Sequence, residues 1–181
     1  MYDVIMATYN GEKYVVEQLD SIINQTINPC TIIIRDDCST DNTVSIIKDY
    51  IKNYTGNVNF EILNSTQNLG YIKNFEALAK AAHSEFVFFC DQDDVWMTNK
   101  AETLLKRTKA KPGVNLLFSD AKLVDDKLQD IGLLWANIKF EPTQEITLPR
   151  LFKQSIVTGA TMVCKKDFLQ SLIPFPEDLP H

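Results

Sequence analysis

Apolar residues in this chain gather into two kinds of run, and the two kinds alternate. Short β-branched or aromatic runs read as strands: YDVIMA (2–7), CTIIIR (30–35), VNFEIL (58–63), FVFFC (86–90) and VNLLFS (114–119). Longer segments with a helical period lie between them. In 11–26, Val15, Leu19, Ile22 and Ile23 fall on one face, and in 68–84 Phe75, Leu78, Ala79 and Ala82 do the same. Ser39 or Thr40 is placed to cap a second helix, whose inner face is marked by Val44, Ile47, Ile51 and Tyr54. A fourth helix over 98–109 ends before Pro112-Gly113. FVFFC is apolar without interruption, as expected of a central strand covered on both faces. Residues 125–150, with Pro142 and Pro149, are polar and mixed and read as an irregular excursion; QSIVTGATMVC (154–164) resumes a strand pattern around Gly159.

Strand–helix alternation of this kind predicts an α/β fold with a mainly parallel sheet flanked by helices. Ligands of such sheets bind beyond the carboxyl ends of the strands. The residues there are Thr8-Tyr9-Asn10, Asp36-Asp37, Asn64-Ser65, Asp91-Gln92-Asp93-Asp94 and Asp120. One rim of the sheet is therefore expected to be acidic.

Length and charge narrow the picture. With 181 residues the chain suits one domain with a full core. A net charge of −6 disfavours extended nucleic-acid binding, while leaving room for one small phosphorylated ligand brought in by a cation. No apolar run approaches the ~20 residues of a membrane span, and MYDVIMATYN has no secretory pattern. Cys30, Cys38, Cys90 and Cys164 form no CxxC pair and sit in or beside apolar runs, which points to a reducing, cytoplasmic setting. His83 and His181 do not make a metal site.

The chemistry sits in the acids. Asp91 and Asp93, one residue apart at a strand end with nothing cationic in their immediate neighbourhood, suit one hard cation or one ribose. Such crowding raises carboxylate pKa values unless a divalent ion such as Mn2+ or Mg2+ joins them to phosphate oxygens. The alternative is a solvated loop or helix N-terminus; the greasy strand before them and the acidic rim favour the cation. Asp36 and Asp37 suit either a nucleobase imide N–H or helix capping with Ser39 and Thr40. Arg35 suits an ordinary ion pair. Tyr9 suits stacking on a base or core packing, Lys73 a diphosphate or plain solvent, and Trp96 the wall of a pocket.

Taken in order, VIMATYNGEKYVVEQLDSIINQT, IIIRDDCSTDNT, NLGYIKNFEALAKAA, FVFFCDQDDVW and TGATMV resemble the family 2 inverting glycosyltransferases of the nucleotide-diphospho-sugar transferase (GT-A) fold. DQDDVW and FSDAKLVD look most like the bacterial rhamnosyltransferase-type members. The resemblance implies a UDP- or dTDP-sugar donor, a saccharide or lipid-linked acceptor, and work at the inner face of the membrane. It implies that Thr8, Tyr9 and Glu12 surround the base, with Asp37, or else Asp36, on its imide. Lys73 would lie near base or phosphates, Asp91 on the ribose, Asp93 on the metal with Asp94 behind it, and Gly159-Ala160-Thr161 beside the sugar. The family's catalytic base would fall just beyond His181, since Glu177 and Asp178 come slightly too early; the chain then reads as a donor-binding part that ends before its base. Two rivals stand beside this reading. FVFFCDQDDV also fits the DxDx[TV] opening of haloacid-dehalogenase-type phosphatases, although three strands precede it. A non-catalytic sugar-nucleotide-binding domain is the other. A nicotinamide-binding Rossmann enzyme is weaker, because ATYNGE has no GxGxxG.

Overall fold

The computed structural model describes residues 1–125, 127–142, 146–147 and 156–176. In chain order its elements are β1 (Tyr2–Thr8), α1 (Val15–Ile23), β2 (Thr31–Asp36), α2 (Thr43–Asn53), β3 (Asn59–Ile62), α3 (Gly70–Ala81) and β4 (Phe86–Cys90). There follow α4 (Lys100–Lys109), β5 (Leu116–Phe118), β6 (Lys122–Val124), β7 (Asp130–Leu133), α5 (Leu134–Asn137), β8 (Met162–Lys165) and α6 (Lys166–Ser171). The main sheet orders its strands β3-β2-β1-β4-β8-β5. β1, β2, β3 and β4 are mutually parallel, and β8 runs antiparallel between β4 and β5.

Strand alternation divides the core into two layers. Val4, Met6, Ile32, Ile34, Phe86 and Phe88 face Val15, Leu19, Ile22 of α1, Ile47 of α2 and Leu104, Leu105 of α4. Ile5, Ile33, Val87 and Phe89 face Leu78 and Ala79 of α3 and Leu169 of α6. Every residue of β4 is buried, as a strand between two helical layers requires. The helical periods of α1 and α3 fall on the expected faces. On the first layer Phe88 meets Tyr2 edge-on at 5.0 Å and Trp96 at 5.5 Å. Such aromatic pairs add about 0.5–1.5 kcal/mol each beyond their buried area. Trp96 is thereby a core residue, 4% exposed, and not a wall of the pocket.

Other expectations are corrected. The irregular excursion expected over 125–150 holds β7 and α5 among its described residues, and β7 pairs with β6 just before it to form a hairpin. The hairpin's turn is shaped by Asp125, which accepts from the N–H groups of Lys127 and Gln129 at 2.9 Å each. Its strands are mostly exposed, so no hydrophobic alternation marked them in advance. The strand expected over 154–164 begins only at Met162; Gly159–Thr161 is a 3-10 turn, and 154–155 lie outside the described residues. Ser39 and Thr40 do not cap α2, whose N-cap is Asn42. The four cysteines are unpaired, as expected.

The connection order places the site. β1, β2 and β3 step outward in one direction, and the chain then returns to lay β4 on the other side of β1. That reversal makes the carboxyl ends of β1 and β4 a topological switch point, where α/β sheets open a crevice.

Candidate functional site

A cleft of about 400 Å³ lies at this switch point, lined by Thr8 at the end of β1 and Tyr9 after it, Asp37 after β2, Gly70, Asn74 and Phe75 of α3, and Asp91, Gln92 and Asp93 after β4. The side of the cleft on β2 is built from a buried ion pair. Arg35 Nη1 donates to Asp37 Oδ1 at 2.9 Å and to Asn74 Oδ1 at 3.0 Å, and Nη2 donates to Ser65 Oγ. Asp37 also accepts from the backbone N–H groups of Leu69 and Gly70, both at 2.8 Å. A carboxylate at the start of a helix meets its unpaired N–H groups and the positive end of its dipole. Gly70 holds φ +74 there, a left-handed conformation that glycine adopts without a Cβ penalty. Asp37 therefore faces the cleft while tying β2 to α3.

Asp36 turns the other way. It accepts from Thr8 Oγ1 at 2.9 Å and from both the N–H and the hydroxyl of Ser39, which closes the loop after β2. Of the two adjacent acids, only Asp37 lines the cleft. Tyr9 does line it and is 48% exposed. Glu12 is not brought to it: Oε2 accepts from the N–H and the amide of Asn42, so the carboxylate serves the start of α2. Lys73 is not a cleft residue either. Its ammonium donates to Glu76 Oε2 at 3.1 Å and to the Phe175 carbonyl. Glu76 also accepts from Lys80 and from Phe175 N–H, and these donors, Lys80 foremost, push its pKa down to about 2. Both departures have one cause: a donor or carboxylate nearer than the cleft claims the side chain.

The acids after β4 stand differently. Among the described residues no hydrogen bond reaches the carboxylates of Asp91, Asp93 or Asp94. Asp91 is pushed up to about 6, by burial first and then by the charges of Asp94 and Asp93, and burial and Asp93 raise Asp94 as well. The expectation of no cation nearby is corrected by Lys100, which lowers both acids. Its ammonium sits 3.9 Å from the Trp96 ring centroid and donates to the Ala160 carbonyl, joining the acidic loop to the Gly159–Thr161 turn. Burial holds Lys100 itself down to about 8. Spacing did not flag it, because it opens α4 six positions beyond Asp94 and looks like an ordinary surface lysine. Gln92 was passed over too: Tyr9 N–H donates to its Oε1 at 2.8 Å, and its Nε2 donates to the Tyr9 carbonyl at 3.0 Å. Gly159 lies in the turn beside Ala160, and Glu177, Asp178 and His181 lie outside the described residues.

No group of three or more His, Cys, Asp or Glu among the described residues is arranged to enclose a metal. One or two carboxylates open to a cleft are nonetheless the usual protein share of a magnesium-type site, the rest coming from substrate phosphates and water. Asp91 and Asp93 fit that share, and the charge crowding at Asp91 is what a cation would relieve.

Sheet order, switch-point cleft and acidic loop together define a nucleotide-diphospho-sugar transferase (GT-A) fold. A 1–349 segment of Staphylococcus aureus TarS, a poly(ribitol-phosphate) β-N-acetylglucosaminyltransferase, superposes with a TM-score of 0.71 and 26% identity, over 99% of this chain and 51% of that one. The mannosyltransferase PcManGT of Pyrobaculum calidifontis, solved with GDP-mannose and Mn2+, shares the fold with a TM-score of 0.74 and 21% identity, over 98% of this chain and 48% of that one. Over 104 residues the chain is 41% identical to the dTDP-rhamnosyl transferase RfbG of Shigella flexneri, covering 55% of this chain and 35% of RfbG. Residues 3–172 match the model of glycosyl transferase family 2, and the chain belongs to that family. It spans about a third of RfbG and about half of each of the two solved chains. No described helix is long and apolar enough to cross a membrane.

Proposed function

We propose that the chain binds the donor in a glycosyltransferase that moves a sugar from a UDP- or dTDP-sugar, with dTDP-rhamnose a candidate, to a saccharide or lipid-linked acceptor. Transfer proceeds with inversion and serves bacterial surface polysaccharide synthesis, at the cytoplasmic face of the membrane. The observation that carries this reading is that Asp91 and Asp93, whose carboxylates meet no hydrogen-bond donor among the described residues, line a cleft that also holds an aromatic residue and a helix start. The relatives' names point the same way: RfbG is a dTDP-rhamnosyl transferase, and TarS has been solved with UDP.

In this reading Tyr9 and Thr8 border the base and Asp37 accepts from its imide N–H. Asp91 takes the ribose hydroxyls, Asp93 holds Mn2+ or Mg2+ on the diphosphate, and Gly159 borders the sugar. The ion, when bound, supplies Lewis-acid stabilisation of the departing nucleoside diphosphate. Asp93 orients the diphosphate, and the apolar strand beneath excludes water from one side of it. In-line attack also needs a carboxylate to take the acceptor's proton; no described residue is assigned that part.

Calorimetric titration of UDP and dTDP, with Mn2+ and with a chelator, tests the reading. Metal-dependent binding of at least one of them is expected. Binding of neither, or release of phosphate from a phosphate ester in Mg2+, would overturn it in favour of the phosphatase alternative or of no nucleotide site at all.

A further inference from the structure

Gln92 stands between the two carboxylates assigned to ribose and metal, yet its carboxamide is engaged on the neighbouring loop. Oε1 accepts from the N–H of Tyr9 and Nε2 donates to the carbonyl of the same residue, at 2.8 and 3.0 Å. β1 ends at Thr8, so Tyr9 is the first residue without a strand partner, and the carboxamide supplies both hydrogen bonds that a strand would have made. The fit is close on the far side too: a Cβ at Gly11 would collide with the Gln92 carboxamide. Asn10, between them, has φ 52, and its N–H donates to Ser39 Oγ while its amide oxygen accepts from Thr40 N–H, so the turn is held at each of its residues.

We infer that Gln92 is a positioning residue for the base, clamping the Tyr9 main chain so that its ring forms a fixed wall of the cleft, and that Gly11 is glycine to admit the clamp. The inference rests on the donor-binding reading above. One loop then does two things: Asp93 faces the diphosphate, while the residue before it sets the nucleoside end of the same ligand. The side-chain chemistry is restrictive. Glutamate retains the acceptor and loses the donor, asparagine is one methylene too short, and alanine removes both bonds.

The experiment titrates UDP and dTDP, each with Mn2+ and with a chelator, into the 181-residue chain and its variants. Gln92→Ala is expected to weaken the bound nucleotide by about tenfold in both conditions, leaving the gain from Mn2+ unchanged. Gly11→Ala should produce a similar loss by displacing the carboxamide, and the double variant should bind no worse than Gln92→Ala alone, since the two act through one contact. Gln92→Met keeps the length of the side chain, removes both bonds without adding charge among Asp91 and Asp93, and serves if the alanine variant fails to fold; it too should weaken binding equally with and without Mn2+. A purely structural role would lower the melting temperature and leave affinity alone. Affinity within about twofold of wild type, a loss seen only with Mn2+, or additive losses in the double variant would each overturn the inference. Wild-type chain that binds neither nucleotide would instead sink the functional reading on which it stands.

Discussion

The acids after β2 and the acids after β4 end at the same rim of the sheet, one on each side of β1, and differ in what meets them. Asp36 has a threonine and a serine on its oxygens, and Asp37 has a guanidinium and two backbone N–H groups. Asp91, Asp93 and Asp94 meet chiefly one another, with Lys100 as the nearby cation. Asp36 is complete within the protein and organises a turn, whereas Asp37 organises a helix start and still lines the cleft. The second group is crowded and meets no hydrogen-bond donor among the described residues, an arrangement that suits the cation proposed for it. The lesson is that an acid's unmet demand, more than its presence at the rim, marks the chemistry.

Removing one acid from each group tests the contrast most strongly. Asp37→Ala leaves the buried Arg35 guanidinium without its counter-charge, though still bonded to Asn74 and Ser65, and two amide N–H groups without their acceptor, so a loss of about 3–5 kcal/mol is expected. Against a typical domain stability of about 5–15 kcal/mol, that is a large fraction, and urea unfolding monitored by circular dichroism reads it directly. A loss below about 1 kcal/mol would show that the pair does not organise α3. Asp93→Ala should do the reverse. Its carboxylate accepts no hydrogen bond among the described residues and repels Asp91 and Asp94, so unfolding should be unchanged or shifted slightly toward stability. UDP binding in Mn2+ should weaken by about 100-fold, as loss of one carboxylate–cation contact worth about 3 kcal/mol predicts. Unchanged affinity in that variant would remove Asp93 from the site.

The parts of this molecule that were legible in its sequence are those where burial enforces a period. β1, β2, β4 and the inner faces of α1 and α3 stand where the apolar pattern put them, and the strand-end rule located the cleft. What escaped the reading depends on partners distant in sequence. Nothing in DQDDVW says that Gln92 reaches back 83 positions to Tyr9. Nothing near Glu12 says that Asn42, 30 positions on, claims it; Lys73 escaped differently, because an i,i+3 partner such as Glu76 does not by itself keep a lysine from a ligand. Lys100 escaped because a lysine opening a helix is ordinarily exposed, and only the packed fold places it on Trp96 and against Ala160. The β6–β7 hairpin escaped because exposed strands leave no hydrophobic signature.

The pH dependence of stability gives a smaller effect with a definite sign. Asp91 has its pKa raised to about 6 when folded, above its usual value of 3.8. As pH falls from 7 through 6 toward 4, the folded chain takes up a proton that the unfolded chain does not yet bind, so this group's contribution to stability grows. Above pH 6 the contribution is lost, because the buried carboxylate is then charged among like charges. Thermal unfolding of the metal-free chain should therefore shift upward between pH 7 and pH 5, and Asp91→Asn should flatten that shift. An equal shift in the variant would assign it to other groups. Mn2+ with UDP should reduce the dependence, since the charged form then has a partner.

The smallest expected effect decides the place of Glu12. By resemblance it belongs near the base; by geometry its carboxylate accepts from the N–H and side-chain amide of Asn42, the N-cap of α2. Those two assignments part company under Glu12→Ala. If the carboxylate serves the helix start, the variant loses about 1 kcal/mol, seen as a shift of about 2–4 °C in melting temperature, and binds UDP as wild type does. If it serves the ligand, the melting temperature stays put and affinity falls. The first outcome is expected, because both Asn42 contacts have full hydrogen-bond geometry and Asp41 accepts from the Glu12 N–H in return. Those reciprocal bonds fix the Glu12 backbone and side chain together against α2, which leaves Thr8 at the end of β1, Tyr9 after it and Asp37 after β2 as the cleft residues proposed to border the base.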